Sequence, residues 1–405
     1  MPHIDLIYFN AGGGHRTAAE ALSEVLQAEG SHWQVRLVNL FELLDPQGLF
    51  RRLTGMPPED LYNRRLARGW TFGMAQELKL LQAAIRLAQP QLVQRLRQHW
   101  RHSAPELAVS VVPNFNLALA QSLQAERPGT PFVTVLTDLA DYPPHFWIEP
   151  GVAQHLVCGT DRALQQAREA GVDERHLHRS SGMVLRPGFY GPPTLPRSEA
   201  RRVLGLDAHT PTGVVLFGGQ GSRAMLDIAE RLHDVPLILM CGHNQALAER
   251  LNAQAASAPR AVVGYTTEVA HYLRLGDFFI GKPGPGSLSE ALHCGLPVIV
   301  TRNTWTLPQE RYNADWVQEQ RVGVVLHGFA DVRGAVAALC AQLPQFVARV
   351  RCMDNRALFE LPQILAGIHR DAQCTQRAGS GEALARVERA VPAANDAGAA
   401  VVHGP

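Results

Sequence analysis

Three times in this chain an apolar run ends in a cluster of glycines that opens directly onto a helix-forming stretch. IDLIYFN runs into Ala11-Gly12-Gly13-Gly14-His15 and then AAEALSEVLQAEG. TGVVLFGG runs into Gly218-Gly219-Gln220-Gly221-Ser222, and DFFIGK into Gly281-Lys282-Pro283-Gly284-Pro285-Gly286-Ser287 and LSEALHCG. Strand, glycine loop and helix in that order begin a βαβ unit, whose parallel strands are apolar on both faces because helices cover both. The chain is therefore expected to be α/β, with doubly wound parallel sheets.

Further strands are expected at QVRLVNLF, at LAVSVV (107–112), PFVTVLTDL (131–139) and HLVCG (155–159), and then at PLILMCG, RAVVGY and LPVIVTR. Between the two series lies RPGFYGPPTLPRS, too rich in proline to hold a regular element. The expected organisation is an N-terminal Rossmann-like domain over 1–190, a linker over 191–200 and a C-terminal Rossmann-like domain over 201–354. A helix is expected over 355–372, returning to the N-terminal domain, and a disordered tail over 373–405, which lacks aromatic residues. A length of 405 residues suits two such domains facing a cleft.

Charge excludes some classes. Thirty-eight basic and 37 acidic residues leave a net +1, which argues against nucleic acid as a partner. No apolar run approaches the ~18–20 residues of a membrane span. The N-terminus has no basic leader, and six scattered cysteines without a CxxC read as reduced thiols, so the expected location is the cytoplasm. Residues 51–101 differ from the rest, with ten basic residues against three acidic ones. Leu, Ile and Trp recur there at helical spacing. Two readings are open: a basic amphipathic surface lying on the inner face of an anionic membrane, or a helix pair packed on the sheet with its arginines in water.

A glycine loop between strand and helix turns backbone N–H groups and a helix N-terminus toward one point, which suits phosphate. None of the three loops fits GxGxxG with a ribose acid, and none fits GxxxxGK[ST], so a dehydrogenase and a P-loop NTPase lose ground. A nucleoside diphosphate on the second domain remains the best reading.

Taken together, GGGHRTAAE (12–20), LTDLADYPPHFW (136–147), SGMVLRPGFY (181–190), FGGQGSRAM (217–225), LMCGHN (239–244), GKPGPGSLSEALHCGLPVIV (281–300) and PQERYNADWV (308–317) resemble glycosyltransferase family 28. Within it the resemblance is to the branch of monogalactosyldiacylglycerol synthases and processive diacylglycerol glucosyltransferases. It implies the GT-B fold and an inverting hexosyltransferase that needs no metal or other cofactor. The hexose would move from a UDP-sugar, UDP-galactose or UDP-glucose, to a lipid acceptor such as diacylglycerol. By the same resemblance Gly219, Gln220, Gly221 and Ser222 face the diphosphate, with Gly284, Gly286 and Ser287 near it and Lys282 available to counter its charge. Glu290 would accept the ribose hydroxyls, Gln309 and Glu310 would meet the donor sugar, and uracil would lie against Val263–Tyr265, around Gly264. Gly13, Gly14 and His145 fall on the acceptor side. Inversion requires a base for the acceptor hydroxyl. His15 and Asp138 both follow a strand at the sheet edge where ligands bind. His15 is put forward as the base, though its ring could instead hold phosphate or acceptor, and Asp138 is its rival; each has a plainer reading, His15 as a loop residue and Asp138 as a turn cap. Transfer to a soluble acceptor, or nucleotide-sugar binding without catalysis, are the alternatives.

Overall fold

The computed structural model describes residues 1–10, 14–28, 33–48, 52, 55 and 74–390, with side chains in the last stretch described over 76–378. Gly12 and Gly13, residues 53–54 and 56–73 of the basic segment, and residues 391–405 of the expected tail lie outside it.

The first half contributes β1 (His3–Tyr8), α1 (Gly14–Ala28), β2 (Gln34–Asn39), α2 (Leu40–Leu44), α3 (Met74–Leu87) and α4 (Gln89–Ser103). It continues with β3 (Leu107–Ser110), α5 (Asn116–Glu126), β4 (Phe132–Val135), β5 (His155–Cys158), α6 (Asp161–Glu169) and β6 (Leu177–Arg179). The second half contributes α7 (Arg197–Val203), β7 (Gly213–Leu216), α8 (Ala224–Arg231), β8 (Leu237–Gly242), α9 (Gln245–Ala253) and β9 (Arg260–Gly264). Then come α10 (Val269–Arg274), β10 (Phe278–Gly281), α11 (Pro285–His293), β11 (Val298–Thr301), α12 (Arg311–Glu319), β12 (Gly323–Leu326), α13 (Val332–Ala341) and α14 (Leu343–Arg351). A long helix, α15 (Ala357–Ala390), closes the series.

The described strands form two six-stranded sheets, in the orders β2-β1-β3-β4-β5-β6 and β12-β11-β10-β7-β8-β9, with parallel pairing in both. The order reverses between β1 and β3 in the first sheet and between β7 and β10 in the second. At such a switch point the following loops diverge to opposite faces and leave a crevice at the carboxyl ends of the strands. All three glycine loops leave from these strands: one follows β1, one β7 and one β10.

Each sheet is covered on both faces. Ile7, Val38, Leu96, Trp100 and Leu119 pack on one side of the first sheet, and Leu22, Leu26, Val109 and Val133 on the other. Trp100 is fully buried in α4, and its indole N–H donates to Ser122 Oγ at 2.8 Å, so its one polar atom is satisfied inside the core. Ala357, Leu361, Leu365 and Ile368 of α15 join the second of these clusters, so the C-terminal helix packs on the first sheet.

Several elements differ from the sequence reading. Residues 373–390 are helical rather than disordered, because α15 runs on through Ala390. Alanine, arginine and glutamate sustain a helix without aromatic anchors. The linker placed at 191–200 already holds the first turn of α7, where the buried Arg201 bonds the Leu275 carbonyl and the Asp277 carboxylate. The short strands β6 and β12 were not anticipated. From residue 74 on, the basic segment forms the helix pair α3–α4. The arginines of that pair are engaged within the fold: Arg86 on Glu149 at 3.0 Å, Arg97 and Arg101 on Glu126 at 3.0 and 2.7 Å, and Arg95 on the Leu44 carbonyl. Among the described residues no helix is long and apolar enough to cross a membrane.

Candidate active site

The first half of the site is built where β1, β3 and β4 end. Helix α1 starts at Gly14 and carries His15 in its first turn, partly buried. Thr137 Oγ1, after β4, lies 3.1 Å from His15 Nδ1, and the ring also bonds the Val111 carbonyl after β3. Burial outweighs that bond and lowers the imidazole to about 4, so the ring is neutral at physiological pH and a weak base.

Asp138 follows Thr137 and is sealed, at 5% exposure. Its Oδ2 accepts the indole N–H of the fully buried Trp147 at 2.9 Å. Desolvation raises this carboxyl most and the Trp147 bond lowers it; the charges of Glu310 and Asp141 raise it, while Lys282 lowers it. The balance places Asp138 at about 7. Of the two candidate bases, Asp138 is the one tuned to exchange a proton near neutrality.

Trp147 is held by a neighbour the sequence reading did not single out. The buried carboxylate of Asp141 accepts the backbone N–H groups of His145 at 3.0 Å, Trp147 at 2.6 Å and Ile148 at 3.4 Å, which folds the 141–148 loop back over the sheet edge. The Trp147 ring then lies 5.8 Å from the ring of His15. The only signal for this was the acid and aromatic content of LTDLADYPPHFW; the hydrogen bonds themselves are non-local. His145 adopts a positive φ of 63° and lines a small cavity of about 70 Å³ with Gln82, Arg86, Asn114 and Glu149. It makes none of the contacts that join His15, Thr137, Asp138 and Trp147.

The second half lies where β7 and β10 end side by side. After β7, the Gly219 carbonyl accepts the His243 N–H at 2.8 Å and the Gln220 carbonyl accepts the Asn244 side chain at 3.2 Å. This fixes the loop against the end of β8. Gly242 has φ +57°, and a Cβ there would lie 2.1 Å from the Gly219 carbonyl oxygen; one at Gly221, φ +60°, would meet Leu247 at 2.8 Å. No larger residue keeps this loop. Ser222 Oγ accepts the Ala224 N–H at 3.3 Å at the start of α8, which leaves its proton free to donate. At the end of β9, past Gly264, the exposed Tyr265 ring stacks on His243 at 3.9 Å.

After β10, Pro285 begins α11, with Gly284 at its cap and Gly286 exposed in its first turn. Ser287 Oγ lies 3.5 Å from the Gly284 carbonyl. Glu290, deeper in α11, is partly buried and raised to about 7 by desolvation, with Arg186 the charge that opposes the shift. Lys282 Nζ pairs with Glu310 Oε1 at 2.9 Å. Glu310 ends the short turn Pro308–Glu310, which also carries Gln309, and Asn313 of α12 donates to the Pro283 carbonyl at 2.8 Å. Thus residues 282 and 310, assigned separate partners from sequence, hold each other.

The two halves meet. Tyr142, in the loop after Asp141, contacts Tyr312 of α12 with ring centroids 5.8 Å apart, and Glu310 and Lys282 both act electrostatically on Asp138. A buried carboxyl on one lobe thus lies within electrostatic reach of Lys282 and Glu310 on the other.

Known proteins bear out the resemblance. The family model described as Monogalactosyldiacylglycerol (MGDG) synthase matches residues 15–180. Monogalactosyldiacylglycerol synthase 3, chloroplastic, of Arabidopsis thaliana is 26% identical over 347 residues, 79% of this chain and 70% of the relative. Probable monogalactosyldiacylglycerol synthase 2, chloroplastic, of Oryza sativa subsp. japonica is 27% identical over 349 residues, 80% and 70% of the two chains. Among solved structures, MurG of Acinetobacter baumannii superposes with a TM-score of 0.57 at 14% identity, over 91% of this chain and all of its own. The glycosyltransferase SnogD of Streptomyces nogalater gives 0.53 at 17% identity, over 91% and 100%. The fold is that of the two-domain glycosyltransferases.

Proposed function

We propose that this chain, a hexosyltransferase similar to the monogalactosyldiacylglycerol synthases, transfers a hexose from a UDP-sugar to diacylglycerol, with inversion and without a metal. The relatives' names supply galactose and diacylglycerol as the first choices. The observation that carries the reaction is Asp138, a buried carboxyl at about 7 within electrostatic reach of Lys282 and Glu310 on the donor-side lobe.

In this reading Asp138 takes the proton of the acceptor hydroxyl as that oxygen bonds to the anomeric carbon. The bond from that carbon to the UDP oxygen breaks on the opposite face, so the configuration inverts. Charge growing on the diphosphate is met by backbone N–H groups of Gly219, Gln220, Gly221 and Ser222 and by the N-terminus of α11 at Gly284, Gly286 and Ser287. Lys282 adds a positive charge at the same edge. Glu290 accepts ribose hydroxyls, Gln309 and Glu310 orient the sugar, and uracil lies along Val263–Tyr265. His15, neutral and held by Thr137 and Val111, orients the acceptor beside Trp147 rather than acting as the base.

The lipid is reached from the surface of α3, where Leu80, Leu81 and Leu87 are 70%, 49% and 85% exposed in a chain whose other large apolar residues are mostly buried. Such leucines suit an interfacial helix. Because the described arginines of α3 and α4 are paired internally, contact there is mainly apolar.

The test is direct. Purified protein is incubated with UDP-galactose or UDP-glucose and diacylglycerol vesicles, with and without EDTA, and the product is examined by NMR. A β-linked monohexosyl lipid formed equally with EDTA supports the proposal. No lipid product from either donor, or activity lost to EDTA and restored by Mg²⁺, overturns it.

A further inference from the structure

Tyr142 stands one residue past Asp141 and Tyr312 two residues past Glu310, so each sits beside groups that its own lobe brings to the cleft. Each is held firmly at home. On the first lobe α6 grips the 141–142 segment. Gln166 accepts the Asp141 N–H at 2.8 Å and donates to the Asp141 carbonyl at 3.0 Å, while Arg162, one turn earlier, donates to the Tyr142 hydroxyl at 3.0 Å. On the second lobe Tyr312 lies in the first turn of α12, and its hydroxyl donates to Glu319 at 3.0 Å on the same helix. The next residue, the fully buried Asn313, donates to the Pro283 carbonyl at 2.8 Å and ties α12 to the loop after β10. With both hydroxyls engaged within their own lobes, it is the half-buried rings that meet across the cleft, centroids 5.8 Å and planes 40° apart.

The contact joins the two reactive edges by short routes. Asp141, beside Tyr142, gathers the N–H groups that fold the loop, and Trp147 of that loop donates to Asp138. Leu139, next to Asp138, is 3% exposed in a buried cluster on which Tyr312 and Trp316 of α12 pack. On the other side, the turn with Gln309 and Glu310 runs directly into Tyr312. Aromatic rings in contact fix an approach distance without adding charge.

We infer that Tyr142 and Tyr312 are a positioning pair, whose ring contact sets the approach of the two lobes and so the distance between an acceptor hydroxyl at Asp138 and the sugar at Gln309 and Glu310. The inference rests on the proposed transfer across this cleft. Both residues act through the loops they hold rather than on the substrate. Displacement is steeply sensitive to the distance between reacting atoms, and a misplacement of about 1 Å costs on the order of 10²-fold in rate. UDP binding, made by the second lobe, does not depend on the contact.

The experiment measures kcat and KM with UDP-galactose and diacylglycerol in detergent micelles, together with UDP affinity by calorimetry. Y142A and Y312A are each expected to lose about 10–100-fold in kcat, with UDP affinity unchanged. Y142F and Y312F delete a hydroxyl and keep the ring, so they should stay near wild type. Y142A/Y312A should be no worse than the poorer single variant, because either change already breaks the one contact. Leucine at the same positions keeps apolar volume without the flat ring; Y142L and Y312L should lose kcat in the same way, so the question stays answerable if an alanine variant does not fold. Wild-type kcat in the folded alanine or leucine variants overturns the inference. So do losses that multiply in the double variant, and losses matched by weaker UDP binding, which would mark damage to the donor lobe. Wild-type protein with no transfer at all removes the reading on which the inference rests; transfer by wild type and undiminished kcat in the variants removes this inference alone.

Discussion

The indole N–H of Trp147 donates to the Asp138 carboxylate at 2.9 Å, and both side chains are closed off from solvent. A carboxyl in that position has one neutral donor against the full cost of desolvation, so it holds its proton to about 7. The arrangement is costly to the fold and useful to a proton transfer.

The first prediction follows from that cost. Asp138 is raised above the ordinary aspartate range in the folded protein, so the native state loses stability as pH rises from about 4 through about 7. D138N removes the penalty. It should melt higher than wild type at pH 8, by an amount on the order of a few kcal/mol, and show no gain below pH 4. Its turnover should fall by about 10²–10⁴-fold while UDP affinity holds. Calorimetry and activity on one preparation check both; a variant that is both less stable at pH 8 and fully active would refute the assignment.

Trp147→Phe keeps an aromatic ring, though a smaller one, and deletes the donor. Because the indole bond favours the carboxylate, its loss should raise Asp138 further. The acid limb of kcat then moves to higher pH, and turnover at pH 6.5 falls several-fold more than at pH 9. A pH-independent loss would instead indicate that Trp147 only shapes the pocket.

Much of this was legible in the chain. The strands β7 and β8 read plainly because VVL and LILMC are apolar without alternation, as a sheet covered on both faces demands. The edge strands β6 and β12 did not: LHR offers one apolar residue, and GVVL is only half-buried. The glycine loops were visible since glycine at 221 takes a left-handed backbone with Leu247 and the Cys241 carbonyl packed close, a combination that favours glycine. Two relationships were not. Lys282 and Glu310 stand 28 residues apart and meet only because β10 and the turn after β11 end at the same edge. Trp147 reaches Asp138 only after Asp141 gathers three backbone N–H groups. Spacing carries no trace of either contact.

Gly242→Ala tests the loop directly. A methyl at φ +57° and 2.1 Å from the Gly219 carbonyl must push the 219–222 loop away from β8. The strain is about 1–3 kcal/mol, and UDP affinity should fall by at least about tenfold in calorimetric titration. Wild-type UDP affinity in a folded G242A would remove this loop from the diphosphate site.

Glu290→Gln addresses the ribose. The carboxyl is partly buried in α11 and raised to about 7 by desolvation, so its ionised, better-accepting form grows above that pH. Wild-type affinity for UDP should therefore strengthen between pH 6 and 8, and E290Q should bind about tenfold more weakly at pH 8 with little pH dependence. Equal affinities across that range would place the ribose elsewhere.

The last prediction concerns how the chain would meet the proposed lipid acceptor at a membrane surface. Leu80, Leu81 and Leu87 project from α3 while Ile85 on the same helix is buried in the core, so the helix is apolar on two faces and only one is used by the fold. Burying three leucines in an interface would contribute several kcal/mol at about 25 cal/mol per Å², against little electrostatic gain, since Arg86, Arg97 and Arg101 are already paired. L80S/L81S/L87S should fold normally, keep its UDP affinity and lose sedimentation with vesicles by tenfold or more. Wild-type vesicle binding should survive added salt better than a purely basic surface would allow. Retained binding by the triple variant, or release of the wild type by moderate salt, would move the membrane contact away from α3 and onto charge.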